Sequence, residues 1–225
     1  APGLAASDAR TLPTLPTLAV LDAVHTVSGG ALLPGIKWVN DVLVDGRKIA
    51  GVLTATEIQG DRVEAVLLGI GLNVAAAPPV PPTQFVPSVG CLADAGVRTT
   101  WAGAAVSVLA ALGRRMTELA TEGTAGLLDA YRAASLVIGR NVCIFADSGP
   151  GEAPVEIRTT PTICGNVRGV AADLSLIIEG VETPVASGRL AFAEDCGGGT
   201  PRGHCGGARD SFERWTNCGR HPRVS

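Results

Sequence analysis

Residues 37–53 read Lys37-Trp38-Val39-Asn40-Asp41-Val42-Leu43-Val44-Asp45-Gly46-Arg47-Lys48-Ile49-Ala50-Gly51-Val52-Leu53. Two apolar runs, Val42–Val44 and Arg47–Thr54, flank Asp45-Gly46, a dipeptide that tolerates the positive φ of a two-residue hairpin turn. A β-hairpin is therefore expected here, entered from a strand at Ile36–Trp38 after the Pro34-Gly35 turn. Upstream, Leu15, Leu18, Val20, Leu21, Val24 and Val27 recur near one helical face. Pro13 and Pro16 sit at the start, where proline costs least, so Thr11–Val27 reads as a buried helix ended by Gly29-Gly30. Downstream, a turn at Gln59-Gly60-Asp61 leads into a strand at Val63–Leu68 that continues through Gly69-Ile70-Gly71-Leu72-Asn73-Val74. Five prolines between 78 and 87 make Ala75–Pro87 the loop that leaves this sheet.

The next periodic stretch is Trp101–Leu119, where Trp101, Ala105, Val108, Leu112, Met116 and Leu119 recur at three and four. Met116 is expected as core filling. A shorter helix follows at Leu127–Ser135, so helices bracket the sheet. From Ile138 the texture becomes short apolar runs between Gly, Pro and Asp turns: Asn141–Phe145, Val155–Arg158, Ile163–Val170, Leu174–Ile178 and Pro184–Ala191. That is the pattern of a small barrel. The expected organisation is one domain over 1–137, a second over 138–195, and a glycine-rich disordered tail over 196–225. The expected fold class is α+β, a mixed sheet packed against helices and followed by a small barrel.

The chain has 225 residues, enough to bury a core, and its 46% hydrophobic content argues against extensive disorder. Residues 1–195 carry 13 basic against 19 acidic side chains, whereas 196–225 carry five against two. An acidic body is a poor nucleic-acid groove, because phosphate contacts need a basic face. No apolar run reaches the roughly 18–20 residues of a membrane span, and the first ten residues have no signal-peptide pattern. Six scattered cysteines do not form a secreted disulfide framework; a reducing cytoplasm is expected. Cys91, Cys143 and Cys164 read as small hydrophobes.

Chemistry concentrates in the opening stretch. The chain has 16 arginines and only two lysines, Lys37 and Lys48, both inside twelve residues. Lys37 ends a strand, Asn40 and Asp41 add polar groups in the turn, and Lys48 returns on the hairpin. Paired cations can neutralise a phosphate or acyl phosphate, and Gly51 lets a ligand approach its backbone closely. The residue types alone also fit a solvated hairpin with no ligand.

Lys37–Leu53 closely resembles the Lys-Trp-Pro-Asn-Asp … Arg-Lys-x-Ala-Gly-Ile-Leu signature of the biotin–protein ligases, and Gly69–Val74 resembles their Gly-Ile-Gly-x-Asn-Val strand. Tyr131-Arg132 with Gly139-Arg140-Asn141-Val142, and Gly165…Gly169-Val170 before Leu174–Ile178, resemble the family's passage into its C-terminal domain. The resemblance covers about residues 12–190. It implies a biotin/lipoate ligase-like catalytic domain followed by a small SH3-like β-barrel. It also implies a two-step reaction in which biotin and Mg-ATP give biotinyl-5′-AMP, and biotin passes to a lysine of a carboxylase's biotin carrier domain. Lys37 is implied as the catalytic cation. Asn40 would hold the nucleotide side and its ion, Asp41 and Arg47 would order the loop, and Lys48 would be a secondary contact. Gly51 and Val52 would line the biotin pocket with backbone groups, and Asn73 would shape the adenylate end.

The chain departs from the family pattern at Val39, where the family has proline, and at Thr54-Ala55, where its acid is missing. Nothing in residues 1–36 resembles the family's Gly-Arg-Gly-Arg-x-Gly-Arg loop, which closes over the adenylate, nor a DNA-binding helix-turn-helix. The alternative is therefore a remnant or fragment that binds biotin or the carrier without activating biotin. The Gly-Val-Leu motif and the terminal barrel favour biotin over lipoate. Sheet edges offer a route to a homodimer. His25 is expected as a structural, buried or half-buried histidine. Cys196, His204, Cys205, Cys218 and His221 lack zinc-site spacing, so no protein metal site is expected. Gly69-Ile70-Gly71 is not a dinucleotide fingerprint, because no third glycine and helix follow.

Overall fold

A computed structural model describes residues 4–146 and 160–196. A 3-10 turn at Ala6–Arg10 leads into α1 (Thr14–Val27), whose first eight residues are all buried and whose last turn is partly exposed. The helix is covered on most of its surface, so Thr14 and Thr17 satisfy their hydroxyls locally by donating to the Thr11 and Pro13 carbonyls. Gly29 and Gly30, both at positive φ, end it, and the Gly30 N–H donates to the His25 carbonyl.

Four strands then form an antiparallel sheet in the order β1 (Gly35–Lys37), β2 (Asp41–Val44), β3 (Arg47–Gln59) and β4 (Arg62–Leu72). Asp45 and Gly46 both adopt positive φ, as a tight β2–β3 turn requires. The β3–β4 hairpin is longer than the apolar pattern implied, its pairs running from Ala50↔Leu72 to Gln59↔Arg62. Its outer half is largely exposed and mixed in character, which hides strand length from a hydrophobicity pattern.

The second helix, α2 (Trp101–Glu122), is capped by the Thr100 side chain and ended by Gly123 at positive φ. It gives way to α3 (Thr124–Ala133). The buried stripe of α2 is Ala104, Val108, Ala111 and Leu119, with Leu112 beside it. Trp101 is 79% exposed and Met116 48%, so Met116 is not core filling. The helix is apolar on two sides, and packing against α1 decides which side is buried. His25 is likewise exposed, at the end of α1.

The second sheet holds β5 (Asn141–Phe145), β6 (Ile163–Val170), β7 (Leu176–Ile178) and β8 (Arg189–Phe192) in the order β7-β6-β5-β8. It corrects the expected SH3-like barrel, and the expected mixed first sheet is antiparallel in every pairing of its strands. The second sheet is open, because its edge strands β7 and β8 do not pair among the described residues. The expected strand Pro184–Ala191 is divided: Val185 makes an isolated bridge to Leu176, Gly188 turns at φ 128°, and β8 starts at Arg189 to pair with β5. The expected strand Val155–Arg158 and the tail residues His204, Cys205, Cys218 and His221 lie outside the described residues. Cys143 and Cys164, expected as small hydrophobes, face each other across β5 and β6 and form a disulfide.

One buried cluster runs from Leu12 and Val24 of the helical layer through Ile36 and Val52 to Val142, Leu176 and Phe192. Polar ties cross the same seam: the Trp38 indole N–H donates to the Leu174 carbonyl at 2.7 Å, and Arg132 Nε donates to the Val170 carbonyl at 2.9 Å. No helix among the described residues is long and apolar enough to cross a membrane.

Candidate functional site

Lys37 is the last residue of β1 and is only 5% exposed. Its ammonium donates to the Phe85 carbonyl, on the proline-rich loop, and lies 5.7 Å from the centre of the Phe192 ring. Burial pulls its pKa below the ordinary lysine value, while the carboxylates of Asp41 and Asp195 oppose that shift; Lys48 and Arg189 add to it. The result is a desolvated amine whose charged form burial disfavours and nearby acids favour, an arrangement suited to meeting an anion.

The hairpin sets the surroundings. Asp41 opens β2 directly across from Lys37, and its carboxylate lies 2.6 Å from the Lys48 ammonium. Gly51 pairs with Asp41 on the other side, where a Cβ would stand 3.4 Å from Lys48 Cε and 3.7 Å from the Asp41 carboxylate. Those are ordinary van der Waals separations, so Gly51 lies directly against the ion pair. Asn40 clasps the neighbouring strand in both directions: its side-chain amide donates to the Val52 carbonyl, and its own carbonyl accepts from the Val52 N–H. Tyr131, buried on α3, donates to the Val39 carbonyl at 2.7 Å and fixes the loop from behind. Burial raises the Tyr131 pKa, which keeps the phenol a donor. The Trp38–Val39 peptide is cis.

Two lobes of a cleft meet at Lys37, one of about 280 Å³ reaching Arg140, Glu194 and Asp195, the other of about 490 Å³ reaching Ser187 and Arg189. Lys37, Asp41 and Lys48 line both, and Asn40 lines the larger. Four other expected site residues do not line either lobe. Arg47 reaches towards Asp94, 3.8 Å away, and packs beside Gly90. Asn73 donates from its backbone to the Ile49 carbonyl and from its side chain to the Gly90 carbonyl, tying β4 to the segment before α2. Gly51 pairs with Asp41 and Gly71 within the sheet, and both backbone groups of Val52 are engaged by Asn40.

The second sheet adds groups that local spacing could not announce. Arg140 stacks 3.6 Å above the Phe192 ring and pairs with Glu194; Arg189 stacks 3.9 Å above Phe85, whose ring meets Phe145 edge-on. Asp195 lies on the same side, its pKa raised mainly by burial and secondarily by Glu194. Phe85 comes from a segment legible only as a proline-rich loop, and Arg189 lies 152 residues after Lys37. The one available signal is the run of strands after Ile138, which brings those residues back to the first sheet.

For Mg²⁺ the donor set does not fit a resident site: no cluster of three or more His, Cys, Asp or Glu occurs among the described residues. Asp41 and Glu194 are already paired with cations. Any Mg²⁺ would enter with nucleotide phosphates rather than in a protein cage.

The antiparallel sheet backed by helices, with a second small antiparallel sheet beside it, is similar in fold to solved biotin protein ligases. The apo structure of biotin protein ligase from Aquifex aeolicus is similar to it with a TM-score of 0.61 at 19% identity, covering 83% of this chain and 76% of that one. Residues 7–73 match the model of the Biotin/lipoate A/B protein ligase family. Over 136 residues the chain is 32% identical to the bifunctional ligase/repressor BirA of Bacillus subtilis, covering 58% of this chain and 42% of that protein. Over 70 residues it is 44% identical to the biotin–[acetyl-CoA-carboxylase] ligase of Paracoccus denitrificans, covering 31% and 29%. The match thus spans less than half the length of these curated relatives.

Proposed function

We propose that this chain forms the adenylation site of a biotin–protein ligase. The observation that carries the proposal is the buried Lys37 where two lobes of one cleft meet, inside the segment that matches the family. In the first step a biotin carboxylate oxygen attacks the α-phosphorus of ATP, the bond to the β-phosphate bridge breaks, and pyrophosphate leaves. Lys37 would contact the carboxylate and phosphate oxygens as charge builds, where a desolvated cation acts most strongly. Asn40 would present its side-chain oxygen on the nucleotide side, since its amide nitrogen is spent on Val52. Asp41 would hold Lys48 at the cleft, and Lys48 would be a secondary contact. Arg47, Gly51, Val52 and Asn73 would act by holding the hairpin and its neighbouring segment in register.

In the second step a lysine amine of a biotin carrier domain attacks the acyl carbon of the mixed anhydride and AMP leaves. The printed names of the relatives, ligases acting on acetyl-CoA carboxylase, support that carrier. The test is to incubate the chain with biotin, Mg-ATP and a purified biotin carrier domain and to weigh the carrier by mass spectrometry. A biotinyl adduct on one lysine is expected. Biotin retention by the chain without any adduct would contradict the proposal and favour a binding-only protein.

A further inference from the structure

The two lobes beside Lys37 differ in charge. In the smaller lobe Lys37, Lys48 and Arg140 face Asp41, Glu194 and Asp195, so the formal charges cancel. In the larger lobe Lys37, Lys48 and Arg189 face Asp41 alone. Because Asp41 is committed to Lys48 at 2.6 Å, the larger lobe is left with two cations from opposite walls, Lys37 on the first sheet and Arg189 on the second. No carboxylate pairs with Arg189 among the described residues.

Both cations are held by the same residue. Phe85 accepts from Lys37 with its carbonyl and carries Arg189 on its ring face at 3.9 Å. Stacking occupies the guanidinium face and leaves its N–H edge open, which suits bidentate contact with phosphate oxygens. The turn that delivers Arg189 is tightly fitted. A Cβ at Gly188, whose φ is 128°, would lie 2.6 Å from Ile144 Cγ2 and 2.9 Å from the Phe145 carbonyl oxygen. Arg189 then pairs with Phe145 in the β5–β8 ladder, so its backbone is set by the sheet. Arg189 is also among the charges that depress the Lys37 pKa, as two cations facing one space should.

We infer that the Ser187-Gly188-Arg189 turn is a polyphosphate subsite, in which the Arg189 guanidinium binds the pyrophosphate end of the nucleotide opposite Lys37. The inference rests on the adenylation proposal and assigns a residue of the second sheet to the leaving group. As the bond from the α-phosphorus to the bridging oxygen breaks, its electron pair stays on the departing pyrophosphate. A cation fixed before the reaction stabilises that charge without reorganising. The lobe, about 490 Å³, is within the usual size of a small-molecule site.

The probe is inorganic pyrophosphate, titrated calorimetrically into the full chain. The wild type should bind it, Arg189→Ala should weaken binding about tenfold or more, and Arg189→Lys should recover part of the loss. Arg168→Ala, which removes the same charge from an exposed pair with Glu179 elsewhere on the second sheet, should leave binding unchanged. Equal losses in the two alanine variants would overturn the subsite, because net charge alone would then explain them; so would a wild type that does not bind pyrophosphate. In biotin-dependent exchange between ATP and pyrophosphate, Arg189→Ala should raise the KM for pyrophosphate while biotin affinity stays unchanged. An unchanged pyrophosphate KM would sink the subsite and leave the adenylation proposal standing. Arg189-dependent pyrophosphate binding without any biotin-dependent exchange would do the reverse.

Discussion

At the scale of single residues, Lys37 is the group on which the account turns, and its protonation is testable. Its folded pKa is lowered by burial, so between that value and the ordinary 10.5 the folded chain binds fewer protons than the unfolded chain. Stability should therefore rise with pH across that window, and Lys37→Met should remove the slope, as urea titrations at a series of alkaline pH values would show. A slope identical in both proteins would contradict the burial of a titrating lysine. Any Lys37-dependent rate should fall on the alkaline side, at a pH below the ordinary lysine range. Asp195→Asn should move that limb lower still, since Asp195 helps to keep the ammonium charged. The position of Lys37, Asp41 and Lys48 together was legible in the sequence, because one hairpin of fixed turn length brings them together. Phe85 and Arg189 were not, because their approach to Lys37 depends on tertiary folding across 48 and 152 residues.

At the scale of elements, the hairpin and the turn residues carried a strong local signal, whereas helix faces did not. Asp45-Gly46 requires positive φ and obtained it. In α2, apolar residues occur on two sides, so a period of three and four could not distinguish Met116 from Ala111; contact with α1 did. That contact contains a polar clamp, Arg115, which reaches Asp22 of α1 at 2.8 Å and Glu118 of its own helix at 2.7 Å. Arg115→Ala should cost about 1–2 kcal/mol in a urea melt, a charged hydrogen bond discounted for partial exposure. Gly188→Ala should cost more, roughly 2 kcal/mol or above, because a positive φ and a close Ile144 contact are strained together. A melt within a few tenths of wild type would show that the turn before β8 is loose, and Arg189 with it.

At the scale of the whole molecule, the buried cluster extends without interruption from α1 to β8, and Trp38 joins the two sheets through the Leu174 carbonyl. Calorimetry should therefore give one cooperative unfolding transition. Trp38→Phe should lower the stability by about 1–3 kcal/mol through an orphaned buried carbonyl. Two separated transitions in the wild type would show that the sheets fold independently. The expected barrel fails at this scale for a physical reason. A pattern of short apolar strands specifies two buried faces but not closure, and here Gly188 and the isolated Val185 bridge divide the last strand before β7 and β8 can pair.

The direct test of an adenylation site at Lys37 is biotin-dependent exchange of labelled pyrophosphate into ATP, measured on this chain beside a folded Lys37→Ala variant. The account predicts exchange above background that depends on biotin and is lost in the variant. No exchange from the folded wild-type chain, or equal exchange from both proteins, would contradict it.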